Sequence, residues 1–213
     1  MITELTLYAD ATFTSPYAMS VFVALTEKGL PFEIKTVNLD ANDNKAAAYA
    51  RVSLTERVPT LAHGAFHLSE SSAITEYLDE VLPAPEYRSV YPGEKQARAR
   101  ARQVQAWIRS DLLPIREERP TSTIFFNSRV GRPLSEQGTA AAAKLVAAAD
   151  ELVGADAGHM FGDWCIADTD LAVMLMRLIA NGDSMPSKLR LYAERQWQRE
   201  AVRGWVAQPR PVA

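Results

Sequence analysis

The sequence predicts two domains of different class, an α/β domain followed by an all-α domain. Up to Leu68, short runs alternate apolar and polar residues, which is the period of a strand, and helical patterns separate them. Beyond Pro92 every apolar pattern has helical spacing. The charge balance also changes near residue 85: the residues up to it carry 5 Lys/Arg and 11 Asp/Glu, and the rest carry 18 and 15. We therefore expect two units with different surfaces.

The first domain is predicted to have the element order β-α-β-α-β-β-α. Pro16 follows Ser15 and Gly29 follows Lys28, which marks both ends of the first helix, because proline suits the first helical position and glycine the residue after the last. A hairpin is expected around the His63-Gly64 pair, since alternating runs flank it. The predicted strands are residues 2–8, 32–39, 60–62 and 65–68, and the predicted helices are residues 15–28, 42–51 and 71–81.

The segment Leu82-Pro83-Ala84-Pro85 predicts the end of the first domain, because its prolines cannot continue the preceding helix. It has the composition of a semi-rigid spacer. The predicted organisation is a first domain at residues 1–82, a linker at 83–92 and an all-helical domain at 93–213.

The second domain is predicted to contain four helical regions. A long helix from about Ala97 must bend or stop near Pro114. The stretch from Asp168 to Ala180 is almost entirely apolar between its ends, which is typical of a helix buried at the centre of a domain. The other two predicted helices cover residues 138–153 and 189–206.

Composition excludes several classes of function. The chain has 213 residues, of which 47% are hydrophobic and 23% charged, as in an ordinary soluble globular protein. The formal net charge of -3 does not favour a nucleic-acid partner. Cys165 is the only cysteine, so an intrachain disulfide is impossible and a reducing cytoplasm is expected. The first residues show no basic start followed by an apolar core, and no apolar run is long enough for a membrane span, so we expect neither a signal peptide nor a membrane partner.

Two short motifs predict a binding site for a peptide-like ligand. In Arg57-Val58-Pro59-Thr60-Leu61, an apolar residue precedes a proline and a strand follows, so the valine backbone could pair with an extended ligand. In Glu70-Ser71-Ser72, an acid and a serine open a helix, where they could hold an amine and a carboxylate of one ligand. Glutathione carries both groups on a short peptide.

With these motifs in this order, the chain resembles the glutathione S-transferase family over essentially its whole length. The resemblance is closest to a bacterial subgroup that shares Ser-Pro-Tyr at the start of the first helix and the segment Trp164 to Asp170. It implies a thioredoxin-like N-terminal domain with a cis Val58-Pro59 bond and an all-α C-terminal domain. It also implies glutathione as cosubstrate, no metal, and a homodimer.

The resemblance implies that Ser15 activates the glutathione thiol. A hydroxyl donor and the positive end of a helix both stabilise a thiolate, and Ser15 supplies the two at one point. The alternative is that Ser15 only caps the helix. Thr12 and Thr14 are nearby hydroxyls that could take its place if the loop is arranged differently.

The other implied glutathione contacts come from the two motifs. The backbone of Val58 would bond the cysteinyl part, and Glu70 with Ser71 would hold the γ-glutamyl end, unless this pair is a helix cap alone. Arg57 is a candidate for the glycyl carboxylate, although an arginine before a strand is often only solvated.

Further candidates lie in the helical domain. Trp107, Arg116 and Arg119 are candidates for lining the pocket of the second substrate. The alternatives are core packing for Trp107 and ion pairing with neighbouring acids for the arginines. His63 and His67 flank a turn without a third ligand, so no metal site is expected.

Asp168 and Cys165 are expected to have structural roles. The family usually has Ser or Thr three residues before this aspartate, which forms a capping box at the start of the buried helix. Cys165 stands there instead, so the box should be weakened or shared with Thr169. We expect Cys165 to be buried and inert.

The sequence therefore predicts a glutathione transferase that presents a thiolate to a small electrophile, or that reduces an organic hydroperoxide by the same attack. One alternative is glutathione-dependent disulfide reduction, although relatives that work through mixed disulfides usually carry cysteine where Ser15 stands. Another is a non-catalytic interaction module of the same fold. Such a module would be expected to lose Ser15, Glu70 or Ser71, and all three are present.

Overall fold

The computed structural model describes residues 4–210 and has the predicted fold class. Residues 4–91 together with 203–210 form one compact unit, and residues 92–202 form a second. The first unit contains a four-stranded sheet and the second is helical, so the thioredoxin-like plus all-α architecture is confirmed. Ile2, where the first strand was predicted to begin, lies outside the described residues.

The sheet of the first unit has the strand order β2-β1-β3-β4, with β1 and β2 parallel and the other neighbours antiparallel. Helix α1 packs on β1 and on α3. Its core is formed by fully buried residues of these elements, including Leu7, Val23, Leu61 and Ile74. The elements are β1 Leu5–Asp10, α1 Pro16–Glu27, β2 Glu33–Val37, α2 Ala47–Ala50, β3 Thr60–His63, β4 Phe66–Ser69 and α3 Ser71–Val81.

The register of the sheet brings three chain segments to one end. Tyr8 of β1 pairs with Thr60 of β3, and Thr60 pairs with Ser69 of β4. Paired residues on neighbouring strands lie about 5 Å apart. The loop after β1, the Val58-Pro59 segment before β3 and the Glu70-Ser71 pair after β4 therefore leave the sheet side by side.

The predicted linker is tied into the first unit as far as Tyr91. Lys28 at the end of α1 donates to Asp79 of α3 at 3.2 Å and to the Arg88 carbonyl at 2.9 Å. The Asp79 carboxylate also accepts the Val90 N–H at 2.8 Å. Both charged side chains are buried, so each needs these partners to offset its desolvation.

The segment 203–210 was predicted to belong to the helical domain, whereas the structure groups it with the first unit. The ring of Trp205 lies edge-on to that of Phe13, with centroids 5.3 Å apart, and tilted against that of Phe22 at 5.4 Å. Trp205 is fully buried. Burial of such a large aromatic ring stabilises the packing of this segment against Phe13 and Phe22.

The second unit is built around α8, whose residues are nearly all buried, as the apolar pattern predicts. Helices α4, α6, α7 and α9 pack against it. The long predicted helix stops at Ser110, and Pro114 lies in the first turn of a new helix after Leu112, which has a φ of 59°. The helices are α4 Lys95–Ser110, α5 Leu113–Glu118, α6 Ser122–Phe125, α7 Glu136–Leu152, α8 Ile166–Asn181, α9 Ser187–Trp197 and α10 Glu200–Val206.

Two details of the helical part differ from the prediction. The region 189–206 is two helices, because α9 ends at Trp197 and α10 begins at Glu200. The short helix α6 lies in a segment for which no helix was predicted, and four residues are too few to show an apolar period. Among the helices of residues 4–210, none has the length and apolarity to cross a bilayer.

Candidate functional site

Ser15 is the N-cap of α1, and its hydroxyl is uncommitted as a donor. Its Oγ accepts the backbone N–H of Ala18 at 3.2 Å, and Pro16 occupies the first helical position. Within residues 4–210 no acceptor takes the Ser15 hydroxyl proton, and the residue is only partly buried. The side chain therefore caps the helix and can still donate a hydrogen bond outward.

The loop that carries Ser15 is organised by Asp10, the last residue of β1. One carboxylate oxygen accepts the Thr14 N–H at 2.7 Å, the Thr12 hydroxyl at 2.8 Å and the Thr14 hydroxyl at 3.2 Å. The other accepts the Ser15 N–H at 3.1 Å. Asp10 is 2% exposed, so these hydrogen bonds replace those that its carboxylate would otherwise make to water. The hydroxyls of Thr12 and Thr14 thus donate to Asp10, whereas the Ser15 hydroxyl is seen only as an acceptor within residues 4–210.

Asp10 was not among the site residues predicted from the sequence. A signal was available, since an aspartate at a strand end followed by Thr and Ser residues is typical of a turn closed by side-chain to backbone bonds. What the sequence could not give is that one carboxylate bonds both threonines and Ser15.

The Val58-Pro59 peptide bond is cis, as the resemblance implies. Val58 is partly buried, and within residues 4–210 no backbone hydrogen bond engages its N–H or C=O. Both groups are therefore available to a ligand that runs alongside. Arg57 is exposed, and its side chain makes no hydrogen bond to the part of the chain that the structure describes.

Three hydroxyls converge on the carbonyl oxygen of Arg57, directly before Val58. The distances are 2.9 Å from Tyr49 Oη, 3.1 Å from Thr60 Oγ1 and 3.2 Å from Ser53 Oγ. Burial raises the pKa of Tyr49, so it is a neutral donor at physiological pH. This group of hydroxyls, which the sequence analysis missed, fixes the backbone that enters the Val58-Pro59 bond.

Glu70 and Ser71 open α3 at the same end of the sheet. Glu70 precedes the helix with a φ of 72°, in the region that L residues rarely adopt, and its exposed side chain does not cap the helix. Ser71 is buried at the first helical position. The helix-cap alternative for Glu70 therefore loses its support, because the carboxylate is directed to no backbone N–H of α3.

Family models match both halves of the chain. The N-terminal domain of glutathione S-transferases matches residues 14–81, and the C-terminal domain of glutathione S-transferases matches residues 94–209. The chain belongs to the glutathione S-transferase family.

Individual glutathione S-transferases also resemble the chain. A glutathione transferase homologue from Burkholderia GL BGR1, solved with bound glutathione, is 51% identical, with 97% of this chain and 98% of that chain covered and a TM-score of 0.81. Human glutathione S-transferase theta-1 is 33% identical over 137 residues, which are 64% of this chain and 55% of that protein. The chain spans about half the length of the curated relatives it matches.

The structure does not support the prediction that Arg119 lines the pocket of the second substrate. Its guanidinium is 2% exposed and pairs with Asp183 through two bonds of 2.7 and 2.8 Å. Its remaining donors reach the carbonyls of Glu118 and Arg132. The hydrogen bonds with Asp183 raise the pKa of Arg119. With its donors used inside the helical unit, Arg119 is a structural residue and does not line a substrate pocket.

Trp107 and Arg116 remain candidates for lining the pocket of the second substrate, although contacts within the helical unit also explain both side chains. The Trp107 indole donates to Asp111 at 2.9 Å and is partly buried against the core of the second unit. It also lines an open groove of about 730 Å³ between α4 and α7, beside Lys144 and Leu152. Arg116 donates to the Arg109 carbonyl, so at least part of its guanidinium is used within the helical unit.

Asp168 and Cys165 form a capping box at the start of α8. Asp168 is fully buried and accepts the Cys165 N–H at 3.0 Å, the Met160 N–H at 2.9 Å and the Tyr192 hydroxyl at 2.8 Å. Burial, and then the nearby Asp168 charge, raise the pKa of the Cys165 thiol far above its ordinary value. Thr169 instead accepts the indole N–H of Trp164 at 3.3 Å.

Within residues 4–210 no cluster of three His, Cys, Asp or Glu residues is arranged to hold a metal ion. His63 lies with Nδ1 2.9 Å from the Tyr77 hydroxyl, and the two rings meet edge-on. This histidine is therefore accounted for by a contact inside the first unit.

Proposed function

We propose that this protein is a glutathione transferase in which Ser15 stabilises the glutathione thiolate. The observation that carries the proposal concerns residues 4–210: there nothing accepts the Ser15 hydroxyl proton at the N-terminus of α1, and no backbone hydrogen bond engages Val58 at the same end of the sheet. The bound glutathione of the 51% identical relative supports it.

The thiolate is the reactive form of glutathione, and an ordinary thiol is mostly protonated near neutral pH. A hydroxyl that donates to the sulfur favours the anion, and so does the positive end of α1. Ser15 combines both effects. The engaged hydroxyls of Thr12 and Thr14 make them poorer candidates, since each would have to give up its bond to Asp10.

The remaining glutathione contacts that we propose are supported by groups at the same end of the sheet. The N–H and C=O of Val58 would pair with the cysteinyl residue of glutathione as with a neighbouring strand. The Glu70 carboxylate would bind the γ-glutamyl amine, and the N-terminus of α3 at Ser71 would bind its carboxylate. The exposed Arg57 can reach toward the glycyl carboxylate without breaking any side-chain bond within the described chain.

The reaction we propose is attack of the thiolate on a small electrophile by substitution or addition. With an organic hydroperoxide the same attack breaks the O–O bond, releases the alcohol and leaves an oxidised sulfur that a second glutathione resolves to glutathione disulfide and water. We propose a reducing cytoplasm as the setting, because glutathione is kept reduced there. We also propose a homodimer, which light scattering would test.

Calorimetric titration of glutathione into the wild type and Glu70→Ala tests the proposal. Glu33→Ala is the matched control, because Glu33 is an exposed carboxylate of the same unit on β2. We expect wild type and control to bind alike and Glu70→Ala to bind at least about tenfold more weakly, since a charged hydrogen bond is lost.

A wild type that does not bind glutathione at millimolar concentration would refute the proposal and favour a non-catalytic interaction module. Binding without turnover of any electrophile or hydroperoxide would refute the catalytic part alone. Faster turnover with mixed disulfides than with electrophiles would favour the disulfide reductase.

A further inference from the structure

Arg210 connects segment 203–210 to the loop that carries Ser15. Its Nη2 donates to the Phe13 carbonyl at 3.0 Å and to the Trp205 carbonyl at 3.1 Å. Its Nη1 donates to the carbonyls of Val206 and Gln208. One planar guanidinium thus holds the end of α10 and a loop almost two hundred residues earlier in the chain.

Phe13 is the point at which this contact acts on the loop. Its φ is 50°, in the left-handed region, and its side chain is 7% exposed. A non-glycine residue keeps such a conformation only when its surroundings impose it. The Arg210 bond holds the Phe13 carbonyl, and the Trp205 ring holds the Phe13 side chain edge-on.

The loop is therefore fixed from two directions. Asp10 bonds the N–H groups of Thr14 and Ser15, and Arg210 bonds the carbonyl of the residue before them. The charges of Arg210 and Asp10 also interact. Burial lowers the pKa of Arg210, and the negative charge of the Asp10 carboxylate raises it. Without Arg210, only the Asp10 side of this arrangement would hold the backbone by a charged group.

We propose that Arg210 is a positioning residue for Ser15, which sets the direction of the Ser15 hydroxyl through its bond to the Phe13 carbonyl. The inference rests on the proposed function, because it assigns Ser15 the thiolate contact. The four hydrogen bonds named above join Arg210 to Phe13 and to segment 203–210, and not to the two other proposed contacts, the Val58 backbone and the start of α3. Its loss should therefore raise the pKa of bound glutathione and leave the affinity for the thiol form of glutathione nearly unchanged.

The test compares wild type with Arg210→Ala and Arg210→Lys. Lysine keeps the charge, but a single ammonium cannot reproduce the fork that reaches carbonyls on both segments. Arg203→Ala is the matched control, because Arg203 lies in the same segment and is exposed. Two quantities are measured: amide hydrogen exchange at Thr14 and Ser15, and the pH dependence of kcat/KM for a reactive aryl halide.

We expect faster exchange at both amides in the two Arg210 variants. We also expect the apparent pKa in kcat/KM to rise by about one unit, so activity below that pKa falls about tenfold. The Kd for glutathione, measured at a pH below the pKa of the bound thiol, should change less than about twofold, because there the thiol form is bound. Arg203→Ala should match the wild type in every measurement. If Arg210→Ala does not fold, Arg210→Lys carries the same expectation.

Unchanged exchange at Thr14 and Ser15, or a wild-type pKa in both variants with glutathione still bound, would overturn the inference and leave the proposed function intact. A loss of affinity for the thiol form of glutathione equal to the loss of kcat/KM would show a general structural role and overturn it as well. A wild type that binds no glutathione would overturn the proposed function and this inference together.

Discussion

At the residue scale, Glu70 has a backbone conformation that is unfavourable for a residue with a side chain, at a position for which we propose a function. Its φ of 72° costs about 1–3 kcal/mol for a residue with a Cβ, and glycine would adopt it freely. A glutamate at such a position is explained by what its side chain does, and under our proposal that is binding the glutathione amine.

Glu70→Gly should therefore stabilise the protein while it weakens binding. Relief of the strained backbone, less the entropy that glycine loses on folding, should raise the free energy of unfolding by about 1 kcal/mol. Glu70→Ala keeps a Cβ, so it should lose glutathione affinity without this gain. Urea unfolding and calorimetry measure the two effects, and equal stabilities of the two variants would contradict the strain argument.

Tyr49→Phe tests whether the hydroxyls around the Arg57 carbonyl matter for the ligand. The change removes the hydroxyl that contacts the Arg57 carbonyl at 2.9 Å and Thr60 Oγ1 at 3.2 Å, so the free energy of unfolding should fall by about 1 kcal/mol. If the Arg57 carbonyl orients Val58, the Kd for glutathione should rise severalfold while the pKa of the bound thiol stays as in the wild type. An unchanged Kd would show that these hydroxyls only stabilise the fold.

At the element scale, the start of α8 depends on Asp168. Replacing it with alanine leaves the Cys165 and Met160 N–H groups and the Tyr192 hydroxyl without their acceptor inside the core. We expect Asp168→Ala to lower the free energy of unfolding by about 3 kcal/mol or more. Asp163→Ala, an exposed aspartate just before the helix, should change it by less than about 0.5 kcal/mol.

The thiol at the same helix start predicts a pH effect. Because burial raises the pKa of Cys165, the thiol is protonated in both states below the unfolded value of about 8.5. Above it only the unfolded chain ionises, so the native state loses stability as pH rises, by up to about 1.4 kcal/mol per pH unit.

Cys165→Ala removes the titrating thiol. The free energy of unfolding of this variant should therefore fall less steeply than that of the wild type between about pH 8 and pH 10. Urea unfolding at several pH values measures the two slopes. Parallel curves would mean that the thiol is not the titrating group. Tyr192, whose pKa burial also raises, contributes to both proteins and cancels in the comparison.

At the scale of the whole molecule, what the sequence could predict was local. Proline after Ser15 and glycine after Lys28 mark the ends of α1, and both signals concern neighbouring residues. The apolar run of α8 predicts a buried helix, and nearly all residues of α8 are buried. The motif residues stand at the ends of strands and helices, but their meeting at one end of the sheet depends on the strand order and register that the structure shows.

The contacts that the sequence could not predict join distant parts of the chain. Periodicity shows that a helix such as α10 has an apolar face, but it does not say which surface that face covers. The pairing of Trp205 with Phe13, and of Arg210 with the Phe13 carbonyl, therefore had no sequence signal. The same holds for Arg119, whose partner Asp183 lies in the loop after α8, 64 residues further along the chain.

The central claim is that Ser15 stabilises the glutathione thiolate, and the pKa of glutathione bound to the wild type and to Ser15→Ala tests it most directly. Ultraviolet absorbance of the thiolate in the complex, followed against pH, gives both values. We predict a wild-type pKa below the ordinary thiol value of about 8.5, and a rise of about one to two units in Ser15→Ala with glutathione still bound. Equal pKa values in the two proteins would contradict the claim.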